Sequence, residues 1–328
     1  MSEHYDLIIV GAGPSGLACA IEAQKQGLSY LVIEKGGITD AIRRFPVDMT
    51  FFSTADLLEI GEIPFTVTQM RPSRVECLEY YRRVVQHFKL NLSLHNKLLQ
   101  VNKNEFGTFN VKTEKAIFSS TYFIFATGYF DYTNKLNVPG EDLPHVKHYY
   151  DEPHAYSGMD VVVIGGRNSA VETALELYRH GVRVTLVHRK NDLGKSVKYW
   201  VEPDIRNRIK EGAIATRFSS VVTRIENGKL QVRNKEGEEE TLAADFVFPL
   251  IGYRPDEALL RSAGVELNEE LIPSYDEETF ETNISGLYIA GSVACGNQTW
   301  NIFIENGRAH AKPLISHILK VHRPKAIL

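Results

Sequence analysis

The chain is poor in cysteine and has no large excess of either charge. Its 328 residues include three cysteines, Cys19, Cys77 and Cys295, far apart and with no CxxC pair. That spacing excludes a local zinc knuckle and a dithiol redox loop. The sparse, odd count suits a reducing cytoplasm. Net charge is −4, from 37 Lys+Arg against 41 Asp+Glu. With no basic excess to neutralise a phosphate backbone, nucleic acid is not expected as a partner. Long apolar runs are also missing, the longest being strand-sized, such as Val161–Ile164. Met1 to Asp6 has neither a basic flank nor an apolar core. A cytoplasmic protein with no signal peptide, spanning helix or membrane contact is therefore expected. His145, His148 and His154 cluster without the spacing or acidic company of a metal site, so no metal is expected.

What is present is a globular composition, 43% hydrophobic and 24% charged with 24 Gly and 13 Pro. At this length about two domains are expected. A β-rich run, Tyr5 to Val10, meets the loop Gly11-Ala12-Gly13-Pro14-Ser15-Gly16. An alanine-rich helical stretch, Leu17 to Gln26, stops at Gly27, and a strand from Tyr30 to Ile33 ends at Glu34. The same plan returns with strand Val161–Ile164, loop Gly165-Gly166-Arg167-Asn168-Ser169-Ala170, a helix from Val171 to His180, and strand Arg183–Val187 ending at His188. Gly11 pairs with Gly165, Gly16 with Ala170, Gly27 with Gly181 and Glu34 with His188, all at a constant offset of 154. One glycine loop is weak evidence, but two with matched helix stops and strand ends predict two βαβ dinucleotide-binding units.

Further strand-to-loop junctions stand at Phe123–Tyr129, at Phe246–Phe248 leading to Gly252, and at Gly286–Ser292, followed by a predicted helix from Thr299 to Leu319. The charged stretch Asn234 to Glu240 reads as a solvated hairpin loop. The economical architecture is α/β, with two Rossmann-like domains and the second inserted in the first. The expected bounds are 1–154 with 257–328 for one domain and 155–256 for the other. Hinges are expected in Val138–Tyr156 and around Pro255.

In the first loop Gly11 permits the tight turn, Gly13 the approach of a pyrophosphate, and Gly16 close helix–strand packing. Glu34, 21 residues after Gly13, is placed to accept from a ribose hydroxyl. In the second loop Arg167 replaces the middle glycine. Either its Cβ points away or the guanidinium itself faces a phosphate. His188-Arg189-Lys190 stands where an acid would select NAD, and favours the extra phosphate of NADP; Lys195 and Lys198 follow as possible helpers. The natural pair is FAD first and NADPH second, with hydride passing from nicotinamide to flavin and electrons then leaving to an acceptor. The expected FAD site is Gly11, Gly13, Pro14, Ser15, Gly16, Glu34, Lys35, Thr127, Gly128, Gly291 and Ser292. The expected NADPH site is Gly165, Gly166, Arg167, Asn168, Ser169, Ala170, His188, Arg189 and Lys190.

These motifs together resemble the thioredoxin reductase-like flavoproteins. The segments Phe51–Thr54, Leu58–Gly61 with Ile63–Phe65, Tyr80–Arg82, Lys198–Trp200 with Pro203–Ile205, and Phe303–Arg308 are more particular. They resemble the bacillithiol disulfide reductase family of YpdA type. The resemblance implies FAD, NADPH, a cytosolic homo-oligomer and a low-molecular-weight disulfide as substrate. Asn168-Ser169-Ala170 after a non-glycine also looks like that family's second loop. Two departures stand out. The family commonly carries cysteine at the position of Ser15, and a hydroxyl cannot form a mixed disulfide. Ser292 replaces the aspartate that the broader group places after its glycine.

No cysteine lies in Tyr149–Tyr156, where thioredoxin reductases carry CxxC, so thioredoxin reduction by that route is not expected. Phe125–Tyr129 also looks like flavin monooxygenases, but their further fingerprint is not met around Leu143–Tyr149. Cys295 and His310 are weak catalytic candidates, against packing and capping roles. The leading reading is an NADPH-dependent FAD oxidoreductase acting directly on a small disulfide such as bacillithiol disulfide. The alternatives are a ferredoxin- or flavodoxin-NADP reductase with a small redox protein as acceptor, and a flavin-based redox sensor with little turnover.

Overall fold

The computed structural model describes residues 3–322. The chain forms two compact units, one reaching to Tyr132 and resuming at Tyr253, the other spanning Thr133–Gly252. The expected division placed 133–154 with the first unit. In the structure this segment folds with the second, because residues 145–147 pair with strand Phe246–Pro249: the Lys147 N–H donates to Val247 O at 2.8 Å and the Val247 N–H to His145 O at 3.0 Å. Leu136, Val138 and Leu143 pack on the same core as Val162 and Val247.

In the first unit a seven-stranded sheet is built on Glu3–Val10. Tyr30–Ile33 lies parallel on one side of it and Ile117–Phe125 parallel on the other. Leu92–Ser93 extends the first edge. Leu287–Ile289 pairs in parallel with the end of Ile117–Phe125, whose beginning pairs with an antiparallel hairpin, Leu98–Lys103 and Phe109–Thr113. Alternate side chains take opposite faces of a strand. Leu7 and Ile9 accordingly join Leu17, Ile21, Leu314 and Ile318 beneath the helices, while Ile8 and Val10 join Phe123, Phe125 and Phe109 on the other face.

The helix Arg74–Phe88 starts at a capping box in which Ser73 and Glu76 exchange hydrogen bonds, satisfying two otherwise unpaired N–H groups. It holds the segments that carried the family resemblance. Tyr81 Oη donates to Leu58 O at 2.9 Å, Tyr80 Oη donates to Ile63 O at 2.8 Å, and Phe65 stacks on Tyr80. Arg308 donates to Glu59 O.

The predicted helix from Thr299 is broken. Ile304–Gly307 forms one turn, Arg308–His310 a 3₁₀ turn, and only Ala311–His322 a longer helix. A Cβ on Gly307 would lie 3.1 Å from Gly291 Cα, so the chain is pressed against another loop at that point.

In the second unit the strand order is Ala215–Phe218, Arg183–His188, Asp160–Ile164 and Phe246–Pro249, all parallel. Ser220–Glu226, Gly228–Asn234 and Glu239–Ala244 form an antiparallel sheet, and the charged turn between the last two is the solvated hairpin expected.

Candidate dinucleotide sites

In open α/β sheets ligands bind outside the carboxyl ends of the strands. The first glycine loop stands at such an end. Gly11 has φ +110°, and a Cβ there would lie 2.3 Å from Ala126 O; a Cβ on Gly16 would lie 2.0 Å from Gly11 O. Both glycines are sterically required. Gly13 differs, since nothing lies within 4 Å of the place a Cβ would occupy. Its neighbour is open space above helix Pro14–Lys25, whose N-terminus has no side-chain cap. Uncapped N–H groups beside open space suit a pyrophosphate.

Glu34 is buried, 8% exposed. Its carboxylate accepts from Ala12 N and Gly36 N, both at 2.8 Å. Burial pushes its carboxyl above the usual range and the two N–H groups pull it back, with Asp40 and Asp131 adding to the rise. A carboxylate has about four lone-pair sites, so these two bonds leave capacity for a ribose hydroxyl. Lys35 Nζ lies 2.6 Å from Asp131 Oδ2, and Arg44 reaches the same carboxylate and also Asp40. Asp131 had no sequence signal, and its pairing with Lys35 depends on the fold. A cleft of about 630 Å³ follows, with Lys35, Arg43, Arg44, His95 and Lys97 on its wall.

Thr127, Gly128, Gly291 and Ser292 follow the ends of the neighbouring strands. The Ala126 N–H donates to Val10 O and the Ala290 N–H to Phe125 O, both at 2.8 Å. A Cβ on Gly128 would lie 3.4 Å from Ser292 Oγ, and one on Gly291 would lie 2.4 Å from Ser15 Oγ. The first unit thus brings its expected FAD residues to one end of its sheet.

The second unit repeats this with changes. Gly165, at φ +148°, has no room for a Cβ, which would lie 2.5 Å from Leu250 O and 2.7 Å from Ala170 Cβ. Arg167 caps helix Asn168–Arg179 in extended backbone, at φ −113°. Its side chain is exposed and runs beside Gly194. The middle position of the second loop therefore accommodates a Cβ without a clash inside the protein itself.

Asn168 serves a role the sequence did not show. Its Nδ2 donates to Ser196 O and its Oδ1 accepts from Lys198 N, both at 2.9 Å, which holds the 194–198 segment beside the loop. Lys198 is buried and paired with Glu172 at 2.5 Å, so it is committed elsewhere. Arg189 and Lys190 are exposed. His188 instead turns its ring onto Gly166, where a Cβ would meet it at 2.5 Å.

The pyridine nucleotide-disulphide oxidoreductase family matches residues 8–291. The chain is 42% identical over 314 residues to the bacilliredoxin reductase Bdr of Bacillus subtilis, covering 95% of this chain and 97% of that protein. The structure superposes on the bacillithiol disulfide reductase Bdr (YpdA) of Staphylococcus aureus with a TM-score of 0.95 at 40% identity, over 98% of this chain and all of that one. The chain belongs to the bacillithiol disulfide reductase family. It is a FAD-dependent pyridine nucleotide-disulfide oxidoreductase. A thioredoxin reductase from T. acidophilum, 21% identical with a TM-score of 0.77 over 97% of this chain, shares the fold.

Within this family the state of the thiols matters. All three cysteines are free and buried. Cys295 donates to Ser292 O at 3.1 Å, and burial pushes its thiol up to about 11. Burial pushes Cys19 up to about 12 and Cys77 also upward. His310 lies with the reductase fold's first glycine loop through Gly291, whose N–H donates to His310 Nδ1 at 3.2 Å. The ring stacks on Phe280 with centroids 4.1 Å apart, and burial lowers its pKa to about 4. It is a neutral acceptor at pH 7, which removes it as a ready acid. Among the described residues no helix is long and apolar enough to cross a membrane, and no His, Cys, Asp or Glu group could hold a metal.

Proposed function

We propose that this reductase takes NADPH and passes its electrons to a low-molecular-weight disulfide such as bacillithiol disulfide. The observation that carries the choice of NADPH is the pair of exposed cations, Arg189 and Lys190, directly after strand Arg183–His188. Two fixed positive side chains at this position favour a 2′-phosphate, where an acid would favour a free hydroxyl. The disulfide rests on likeness to the bacillithiol disulfide reductase of Staphylococcus aureus.

FAD, when bound, supplies two-electron chemistry between a nicotinamide and an acceptor. Gly11, Gly13, Pro14, Ser15 and Gly16 present the helix N-terminus to its phosphates, Glu34 holds a ribose hydroxyl, and Lys35, Thr127, Gly128, Gly291 and Ser292 line the same end of the sheet. The loop Gly165–Ala170 does the same for the nicotinamide dinucleotide. Ser15 cannot carry a mixed disulfide, and the three thiols are buried. The acceptor is therefore reduced without an enzyme thiol at position 15.

Those buried thiols also favour a second reading, a ferredoxin- or flavodoxin-NADP reductase, which needs no thiol. Anaerobic stopped-flow separates the two. FAD-loaded protein is reduced with one equivalent of NADPH and mixed with bacillithiol disulfide. Rapid recovery of flavin absorbance is expected. Rapid reduction without recovery sinks the disulfide reading and moves ferredoxin or flavodoxin to the front.

A further inference from the structure

The segment Gly194–Lys198 lies beside the second glycine loop and is tied to it by hydrogen bonds along its length. The Gly194 N–H donates to Gly166 O at 2.7 Å. Asn168 Nδ2 donates to Ser196 O, and Asn168 Oδ1 accepts from Lys198 N, both at 2.9 Å. The approach is close enough to need a glycine, since a Cβ on Gly194 would lie 3.0 Å from Gly166 O and 3.1 Å from Arg167 Cγ. The sequence placed Asn168 among the nucleotide contacts, but both ends of its amide are turned to this strap.

The strap sorts its side chains. Leu193, Val197 and Lys198 are buried, and Lys198 is spent on Glu172. Lys195 and Ser196 are exposed. No acid pairs with Lys195 among the described residues, and Asp192, the acid that precedes the strap, is held by Arg206 at 3.1 Å. Helix Asn168–Arg179 has no side-chain cap and no acid in its first turn. The mouth of the loop therefore offers backbone donors and an uncommitted cation.

We propose that Lys195 binds the pyrophosphate of the nicotinamide dinucleotide, and that Asn168 is the positioning residue that holds it there. This rests on the reading of Gly165–Ala170 as the nicotinamide dinucleotide loop, and not on the choice of NADPH over NADH.

The place of attachment favours the pyrophosphate over the 2′-phosphate. The strap meets the protein at Gly166 and beside Arg167, the part of such a loop that approaches the pyrophosphate, whereas Arg189 and Lys190 follow the strand end that reads the ribose. Asn168 acts without touching the ligand. By fixing the strap beforehand it removes an ordering cost that binding would otherwise carry. Without it the lysine keeps its charge but loses its place.

The test is calorimetry of FAD-loaded protein with two ligands. NADP⁺ carries both the pyrophosphate and the 2′-phosphate and leaves the flavin oxidised; 2′-AMP carries the 2′-phosphate alone. Lys195→Ala is expected to weaken NADP⁺ about 3- to 10-fold, the worth of one exposed contact to phosphate, and to leave 2′-AMP within about twofold. Lys195→Arg is expected to stay near wild type with both. Asn168→Ala is expected to weaken NADP⁺ by about the same factor, and adding Lys195→Ala to it to cost less than about twofold more. Gly194→Ala, which lifts the strap without altering Asn168, gives a second route to the same non-additivity. The single Lys195 variants decide the ligand contact even if the strap variants do not fold. Unchanged NADP⁺ affinity in Lys195→Ala, or an equal loss for 2′-AMP, overturns the inference. Full additivity of Lys195→Ala with the strap variants overturns the role of Asn168. Failure of 2′-AMP to bind wild-type protein overturns the NADPH reading alone, and Lys195→Ala is then read on NAD⁺, which carries the same pyrophosphate.

Discussion

The backbone N–H of Gly291 donates to Nδ1 of His310 at 3.2 Å. That bond requires the ring to be unprotonated at Nδ1, and it links the loop after strand Leu287–Ile289 to the turn before helix Ala311–His322. Its consequence is a specific sensitivity to acid. The folded pKa of His310 is lowered to about 4 by burial, below an unfolded value near 6.5. The stability it contributes is whole above pH 6.5 and is lost as pH falls toward 4, by roughly 3 kcal/mol at 1.36 kcal/mol per pKa unit. Denaturant midpoints at pH 7 and pH 4.5 should fall less in His310→Gln than in wild type. Parallel losses would show that the bond does not control the acid response.

Two glycines of the first loop should respond in opposite ways to the same substitution. In Gly11→Ala the new methyl would stand 2.3 Å from Ala126 O at φ +110°. A loss of about 3 kcal/mol or more is expected, seen as a collapse of Tm. Gly13→Ala meets nothing within 4 Å, so the apoprotein should melt within about 3 °C of wild type. The methyl then occupies the space proposed for the pyrophosphate, and FAD retention on gel filtration should fall about tenfold or more. Normal FAD retention in Gly13→Ala would place the phosphates elsewhere.

The thiols should be silent in the native protein. With Cys295 at about 11, about one molecule in a thousand carries its thiolate at pH 8. Titration with an aromatic disulfide reagent should find no fast-reacting group in native protein and all three cysteines after unfolding in guanidinium. One fast native thiol would identify a candidate to replace the cysteine absent at position 15.

Arg189→Ala with Lys190→Ala should raise KM for NADPH about 10- to 100-fold, and leave KM for NADH within about twofold, since each exposed contact to phosphate is worth about 0.7–1.4 kcal/mol net. The check is steady-state oxidation of each nucleotide with an artificial acceptor. Equal changes for both would remove the 2′-phosphate from these side chains.

Much of the fold was legible because its signals are local. Strand Tyr30–Ile33 begins and ends where the apolar run does, and the helix Asn168–Arg179 stops before Gly181. Helix and strand periodicity, with glycine punctuation, operates over a few residues. The failed helix from Thr299 shows the limit. Its pattern is helical, but Gly307 is pressed against Gly291, whose place is set by the pairing of Leu287–Ile289 with Ile117–Phe125.

The site divides along the same line. The amino-acid sequence alone determined the two glycine loops, the acid at the end of one unit, the basic residues at the end of the other, and the hydroxyl at position 15, because each lies within a short, ordered motif. Tertiary structure alone decided that Lys35 is engaged by Asp131, that Lys198 is engaged by Glu172, that His188 backs Gly166 while Arg189 and Lys190 remain exposed, and that His310 is a neutral acceptor. Charge state and availability depend on burial and on partners distant in the chain, and those exist only once the strands have paired.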